Sequence, residues 1–285
     1  MPTEERAALI NAEAYGLRPD DNTDATPALQ SALEALPDGG SLRLAPGKYD
    51  FWSDSAPERY LNLSNNCAGW KRVAFLLENR KKITVEGSGA HLVFHGEILP
   101  FVIDGGCDIA LVNLTIDWIR PFYSQGEILD GSFSHVDVQI DPNSYPCEVR
   151  ENRLIFLGDG WEKPLIEGIM EVEPETGRPA VGSGDNLGGS LSNNHGVSSL
   201  ANGTYRIRGN FAHSPQPGNH LILRHTERNF PAVFAKNSRN LNLRKLRIRH
   251  SAGTAILVQF CENVALRDCE VRPDRESGRL FSASG

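Results

Sequence analysis

Three short stretches of this chain repeat one spacing of apolar residues, and that spacing restricts the folds open to it more than any other feature. Ile109, Leu111, Leu114 and Ile116 step by two, three and two; Leu241, Leu243, Leu246 and Ile248 step the same way, as do Val264, Leu266, Cys269 and Val271. A step of two keeps side chains on one face of a strand, and a step of three lets the chain bend while the same face stays inward. Each copy reads as strand, bend, strand. The last two copies start 23 residues apart (264 minus 241), within the period of a solenoid whose coils lie in parallel register. A weaker copy covers Phe75 to Val85. The spacing predicts an all-β fold in which residues 109–116, 241–248 and 264–271 are stacked neighbours, with Leu246 buried between Leu114 and Cys269.

Other segments fit around this ladder. Residues 17–52 read as a cap: Thr26 as helix N-cap, Pro27 at the first helical position, Leu29, Leu33 and Leu36 on one face, and a stop at Pro37. Between the first clear coil and the second, residues 119–230 carry separate period-2 runs, VDVQI (136–140), RLIFL (153–157), IMEVE (169–173), TYRIR (204–208) and HLILR (220–224), divided by turn residues. They predict an inserted antiparallel β-barrel or sandwich. The glycine-rich stretch 182–196 lacks the flanking strand and helix of a phosphate-binding loop and reads as a plain loop. The expected plan is a cap and first coils over 1–118, an inserted all-β domain over 119–230, and further coils over 231–285. Residues 274–285 are too short and polar to cover the last coil. The reading is therefore of a truncated solenoid prone to self-association.

The net charge of −7 argues against a nucleic-acid partner, whose phosphates need a basic surface. No apolar run approaches the roughly 20 residues that span a bilayer. Residues 1–16 carry early acids and do not read as a signal peptide, so the compartment stays open. Five cysteines, an odd number without CxxC spacing, read as structural thiols.

Candidate chemistry is sparse. His91 and His95 suggest a metal pair, but on a strand they stand roughly 13 Å apart, too far for one ion. Asp20, Asn22 and Asp24 open like a calcium loop, yet Ala25 stands where glycine is needed and Ser31 where a bidentate glutamate is needed. No GxSxG occurs. No metal and no cofactor are expected. Asp117, Trp118 and Arg120 sit where the first coil leaves the ladder; Arg224, His225 and Arg228 sit where the insertion returns. Polar and aromatic groups at element ends suit sugar hydroxyls and a sugar ring face, so Asp117, Trp118, Arg120, His225 and Arg228 are the substrate-binding candidates. A salt-bridged junction, Asp117 with Arg120 or Arg228, is the competing reading. Glycoside hydrolysis needs two carboxylates, and no pair stands out. The catalytic residues stay unidentified.

GLRPDDNTDATPALQSALEALPDGGSLRLAPGKYDF resembles the opening of the pectate-lyase-like superfamily, which implies a right-handed parallel β-helix. SNN (64–66), HG (95–96), DWIRP (117–121) and LRHTER (223–228) narrow the resemblance to glycoside hydrolase family 110, bacterial exo-α-1,3-galactosidases. That resemblance implies an inverting hydrolase of terminal α-linked galactose on glycans, secreted or periplasmic, with catalytic aspartates in coils beyond a segment like GRLFSASG. Since the chain stops there, it is expected to be inactive alone. A polysaccharide lyase and a non-catalytic carbohydrate-binding or tail-spike-like module are the alternatives.

Overall fold

The computed structural model describes residues 8–64, 67–165, 168–191, 196–201, 203–224, 229–251 and 253–282. The chain divides into two compact units, residues 1–119 with 228–272 and 282–285, and residues 120–227 with 273–281. Both are built from strands, and no helix among the described residues is long and apolar enough to cross a membrane.

The first unit holds two sheets. In one, the strands run in the order Leu9–Asn11, Ser41–Arg43, Thr84–His95, Cys107–Trp118, Arg239–Ile248 and Glu262–Arg267, with Lys48–Trp52 added to Thr84–His95 and Glu270–Val271 to Arg239–Ile248. Every pairing is parallel. The register is the one the spacing predicts: Leu241, Leu243, Leu246 and Ile248 lie beside Ile109, Leu111, Leu114 and Ile116. Val264, Leu266 and Val271 lie beside Leu241, Leu243 and Ile248. Leu111, Leu243 and Leu246 are fully buried, so the interior is a column of like side chains. The second sheet runs Ile256–Gln259, Val233–Lys236, Ile98–Asp104 and Cys67–Glu78 in parallel, and Glu58–Leu63 closes it antiparallel.

The step of three has a simple cause. Asn113, Lys245 and Asp268, which occupy it in the three coils, have φ of 58°, 54° and 55°. One left-handed residue turns the strand without reversing its faces, and Asn and Asp tolerate that conformation better than most side chains. A second corner repeats Asp108, Asn240 and Asn263 at φ of 58°, 56° and 54°. There Asn240 donates to Asp108 at 2.8 Å and Asn263 to Asn240 at 3.1 Å. A third corner carries Asn79, Gly105 and Asn237, then Phe260 at φ 52° with 83% of its surface exposed. A bulky side chain is costly in this region and gains nothing from solvent. Phe260→Asn is expected to stabilise the unit by about 1 kcal/mol, read as a higher urea midpoint; an equal or lower midpoint would refute it.

The capping helix spans Thr26–Ala35, and Leu29 and Leu33 turn inward. Its N-cap is Ala25, not Thr26. The carboxylate of Asp24 takes the cap's usual role, accepting the Thr26 N–H at 2.9 Å, while the Thr26 hydroxyl donates to Trp52 O at 3.2 Å. Asp20 likewise accepts the Lys48 N–H at 2.9 Å, so the acidic loop 20–24 pins the cap to the strand Lys48–Trp52.

In the second unit an antiparallel sheet runs Arg178–Pro179, Ile169–Glu173, His220–Arg224, Tyr123–Gly131, His135–Ile140, Thr204–Asn210 and Ser190–Leu191, with Val197–Ala201 also on Thr204–Asn210. Three further strands, Cys147–Arg150, Arg153–Gly158 and Trp161–Pro164, form a small antiparallel sheet. The alternation of VDVQI and TYRIR places Val136, Val138, Ile140, Tyr205 and Ile207 inside.

Candidate functional site

The polar face of the first unit's parallel sheet follows from strand alternation. Along KYDFW, Tyr49 and Phe51 are buried in the core, which turns Lys48, Asp50 and Trp52 to the opposite face. By the same parity Ala90, Leu92 and Phe94 face in and His91, Val93 and His95 face out. Leu114, Ile116 and Trp118 face in, leaving Thr115 and Asp117 out. Register aligns these residues in rows: Lys48, His91, Thr115 and Arg247; then Asp50, Val93 and Asp117; then Trp52 beside His95.

Two imidazole–carboxylate pairs occupy this face. His95 Nε2 lies 2.9 Å from Asp50 Oδ1, and Lys48 Nζ lies 2.9 Å from Asp50 Oδ2. The Trp52 ring stacks on the His95 ring at 3.8 Å with 14° between planes. His250 Nδ1 lies 2.7 Å from Asp117 Oδ1, while His91 Nε2 stands 3.8 Å from Asp117 Oδ2. Asp50, His95, Asp117 and His250 are all largely buried. A carboxylate that holds an imidazole fixes its ring orientation and tautomer, which suits both hydroxyl recognition and proton transfer. An indole beside such pairs supplies an apolar plate of the kind on which a sugar ring face stacks.

The five residues singled out from sequence fall in different places. Asp117 belongs to this face. Trp118 is fully buried in the interior and packs on Phe94 at 5.7 Å between ring centroids. Arg120 is buried in the second unit, where its guanidinium donates to Leu157 O at 3.1 Å, Pro121 O at 2.8 Å, Tyr123 O at 2.7 Å and Ser124 Oγ at 3.0 Å. It also lies 5.3 Å from the rings of both Tyr145 and Trp161. Burial lowers its pKa to about 10. His225 and Arg228 lie outside the described residues. Asp50, His95 and His250 went unselected in the sequence. The parity of Lys48, Asp50 and Trp52 was readable there, but pairings over 45 and 133 residues were not.

One group of metal-ligand type occurs among the described residues, Asp130, His135 and Asp137 in the second unit, with ligand atoms within 4.8 Å of one another. Its charge is already met. Arg206 binds Asp137 through two nitrogens at 2.7 and 2.6 Å, and the hydrogen bond from His135 holds the Asp130 carboxyl below the usual carboxylate range.

The chain is built almost wholly of strands in both units, and comparison with known proteins agrees with an all-β fold. The family model described as GLAA-B beta-barrel domain I matches residues 124–221. The chain is 31% identical over 281 residues to alpha-1,3-galactosidase B of Bacteroides thetaiotaomicron, covering 96% of this chain and 45% of that protein. It is 31% identical over 288 residues to alpha-1,3-galactosidase A of Shewanella woodyi (100% and 46%) and 28% identical over 282 residues to alpha-1,3-galactosidase B of Akkermansia muciniphila (98% and 35%). The chain belongs to the family of these α-1,3-galactosidases, glycoside hydrolases by name. It spans less than half the length of these three relatives.

Proposed function

We propose that the protein is an α-galactoside hydrolase acting on terminal, α-1,3-linked galactose with inversion, and that the Asp50, His95, Asp117 and His250 face binds the sugar. The observation that carries this is the pairing of two nearly buried carboxylates with imidazoles on one sheet face, beside an indole. Structural stability alone gives little reason for such an arrangement, since buried charged pairs rarely outperform apolar packing. The names of the relatives supply the substrate class. Asp50 and Asp117 are separated by one intervening strand, roughly 10 Å by strand spacing, near the upper end of the separation that inverting pairs use. Because each already holds an imidazole, their role is to receive sugar hydroxyls rather than to act as the acid and base.

The finer architecture we infer is a right-handed parallel β-helix, interrupted by the all-β domain of residues 119–230. The in-register parallel ladders of both sheets support it. His225 and Arg228 are assigned to the same sugar-binding role by their place in LRHTER. The test is ligand-detected NMR with α-1,3-galactobiose on the wild-type chain and on His95→Gln. Binding weakened about tenfold, about 1.4 kcal/mol, with an unchanged melting temperature supports the assignment. Equal binding by both proteins moves the site elsewhere. Cleavage of a uronate polymer to an unsaturated product would establish the lyase reading instead.

A further inference from the structure

Outside this face, one buried cation in the first unit has no carboxylate partner among the described residues. Lys71, on the strand Cys67–Glu78, is 92% buried, since 8% of its surface is exposed. A buried ammonium is expected to carry a carboxylate. Among the described residues no acidic side chain lies within ion-pair distance of Lys71, although the neighbouring Arg59 and Arg72 bind Glu78 and Glu58. What its ammonium meets is a thiol and a ring: Nζ stands 3.1 Å from Sγ of Cys67 and 4.9 Å from the centroid of Phe230. Strand parity turns residues 67, 69 and 71 to one side, and the residue between them is Gly69, which has no side chain to stand between the two groups. Cys67 itself is half-buried and free, so a small oxidant can reach it.

We infer that Cys67 and Lys71 form an oxidant-dependent, reversible covalent link between Sγ and Nζ. The co-reactant is a peroxide. In the first step the Cys67 sulfur attacks one peroxide oxygen; the O–O bond breaks, the sulfur is oxidised to a sulfenic acid, and water leaves. In the second step Lys71, having given one proton to solvent, attacks the sulfur with its nitrogen lone pair. The S–N bond forms, the S–O bond breaks, and the sulfenic oxygen departs as a second water with a proton from nitrogen. One thiol, one amine and one hydrogen peroxide thus give one sulfenamide and two waters. Sulfenic acids condense with nitrogen in this way when one is held nearby. A dithiol reverses the reaction by attacking the sulfur and releasing the amine.

The test is peptide mass spectrometry of the intact protein treated with hydrogen peroxide and then with iodoacetamide. The expected product is a peptide spanning residues 67 and 71 that has lost two hydrogens, resists alkylation at Cys67 and cleavage by trypsin after Lys71, and returns to its original mass with dithiothreitol. Lys71→Arg keeps the positive charge but removes the primary amine, and should give only Cys67 oxygen adducts. The inference is overturned if the wild-type protein gives sulfenic or sulfinic Cys67 with Lys71 still cleaved by trypsin, or if Lys71→Arg forms the same reducible product lacking two hydrogens.

Discussion

Leu246→Asp is expected to unfold the parallel-stranded unit, at a cost of about 4 kcal/mol or more. Leu246 is fully buried and lies beside Leu114 in the ladder. Aspartate there would lose the apolar transfer energy of the leucine and place a carboxylate among apolar side chains with nothing to pair it. Leu266 is the internal control, because it has the same chemistry and the same kind of ladder position but is 50% exposed. Leu266→Asp should cost well under 1 kcal/mol, within the range of ordinary surface substitutions. Hydrogen exchange resolved by peptide reads both. Leu246→Asp should strip protection from the strands Cys107–Trp118 and Arg239–Ile248, and retained protection there would overturn the assignment of the core.

Arg120→Ala should destabilise the second unit by about 3 to 5 kcal/mol, because it leaves several acceptors without a donor. The carbonyls of Pro121, Tyr123 and Leu157 all receive from the one guanidinium, and the rings of Tyr145 and Trp161 rest against it. Arg120→Lys should recover little, since an ammonium cannot reproduce a planar fork of donors. Exchange protection in Tyr123–Gly131 and Thr204–Asn210 should fall in both variants while Arg239–Ile248 is unaffected. If protection is retained and galactoside binding is lost, Arg120 is a binding residue after all.

These two residues also mark where the sequence could be read and where it could not. The ladder was legible because its information is local: the step of three recurs wherever Asn113, Lys245 and Asp268 take a left-handed turn. Trp118 shows local information read incompletely. Leu114, Ile116 and Trp118 share parity, so the indole belongs with the core, yet its place at a strand end suggested a sugar platform. Arg120 is a different case. A guanidinium satisfied by backbone carbonyls leaves no trace in residue types, and only the folded chain supplies its partners. The Asp50–His95 and Asp117–His250 pairs were hidden for the same reason. Asp117 and His95 drew notice singly, but their partners Asp50 and His250 did not, and only the folded chain joins the pairs.

The pairing of Cys107–Trp118 with Arg239–Ile248 also bears on how the protein is made. Asp108 and Asn240 meet across 132 residues, and closing a flexible loop of that length costs about 4 kcal/mol of chain entropy before any contact repays it. Prior folding of residues 120–227 into a compact unit replaces most of that loop with a fixed body and lowers the barrier. On a ribosome adding roughly 5 to 20 residues per second, the edge of Cys107–Trp118 waits on the order of 10 s for its neighbour. For that interval its unpaired backbone groups are open to any other nascent strand, so folding yield, more than final stability, is set by how quickly the excursion from the ladder collapses.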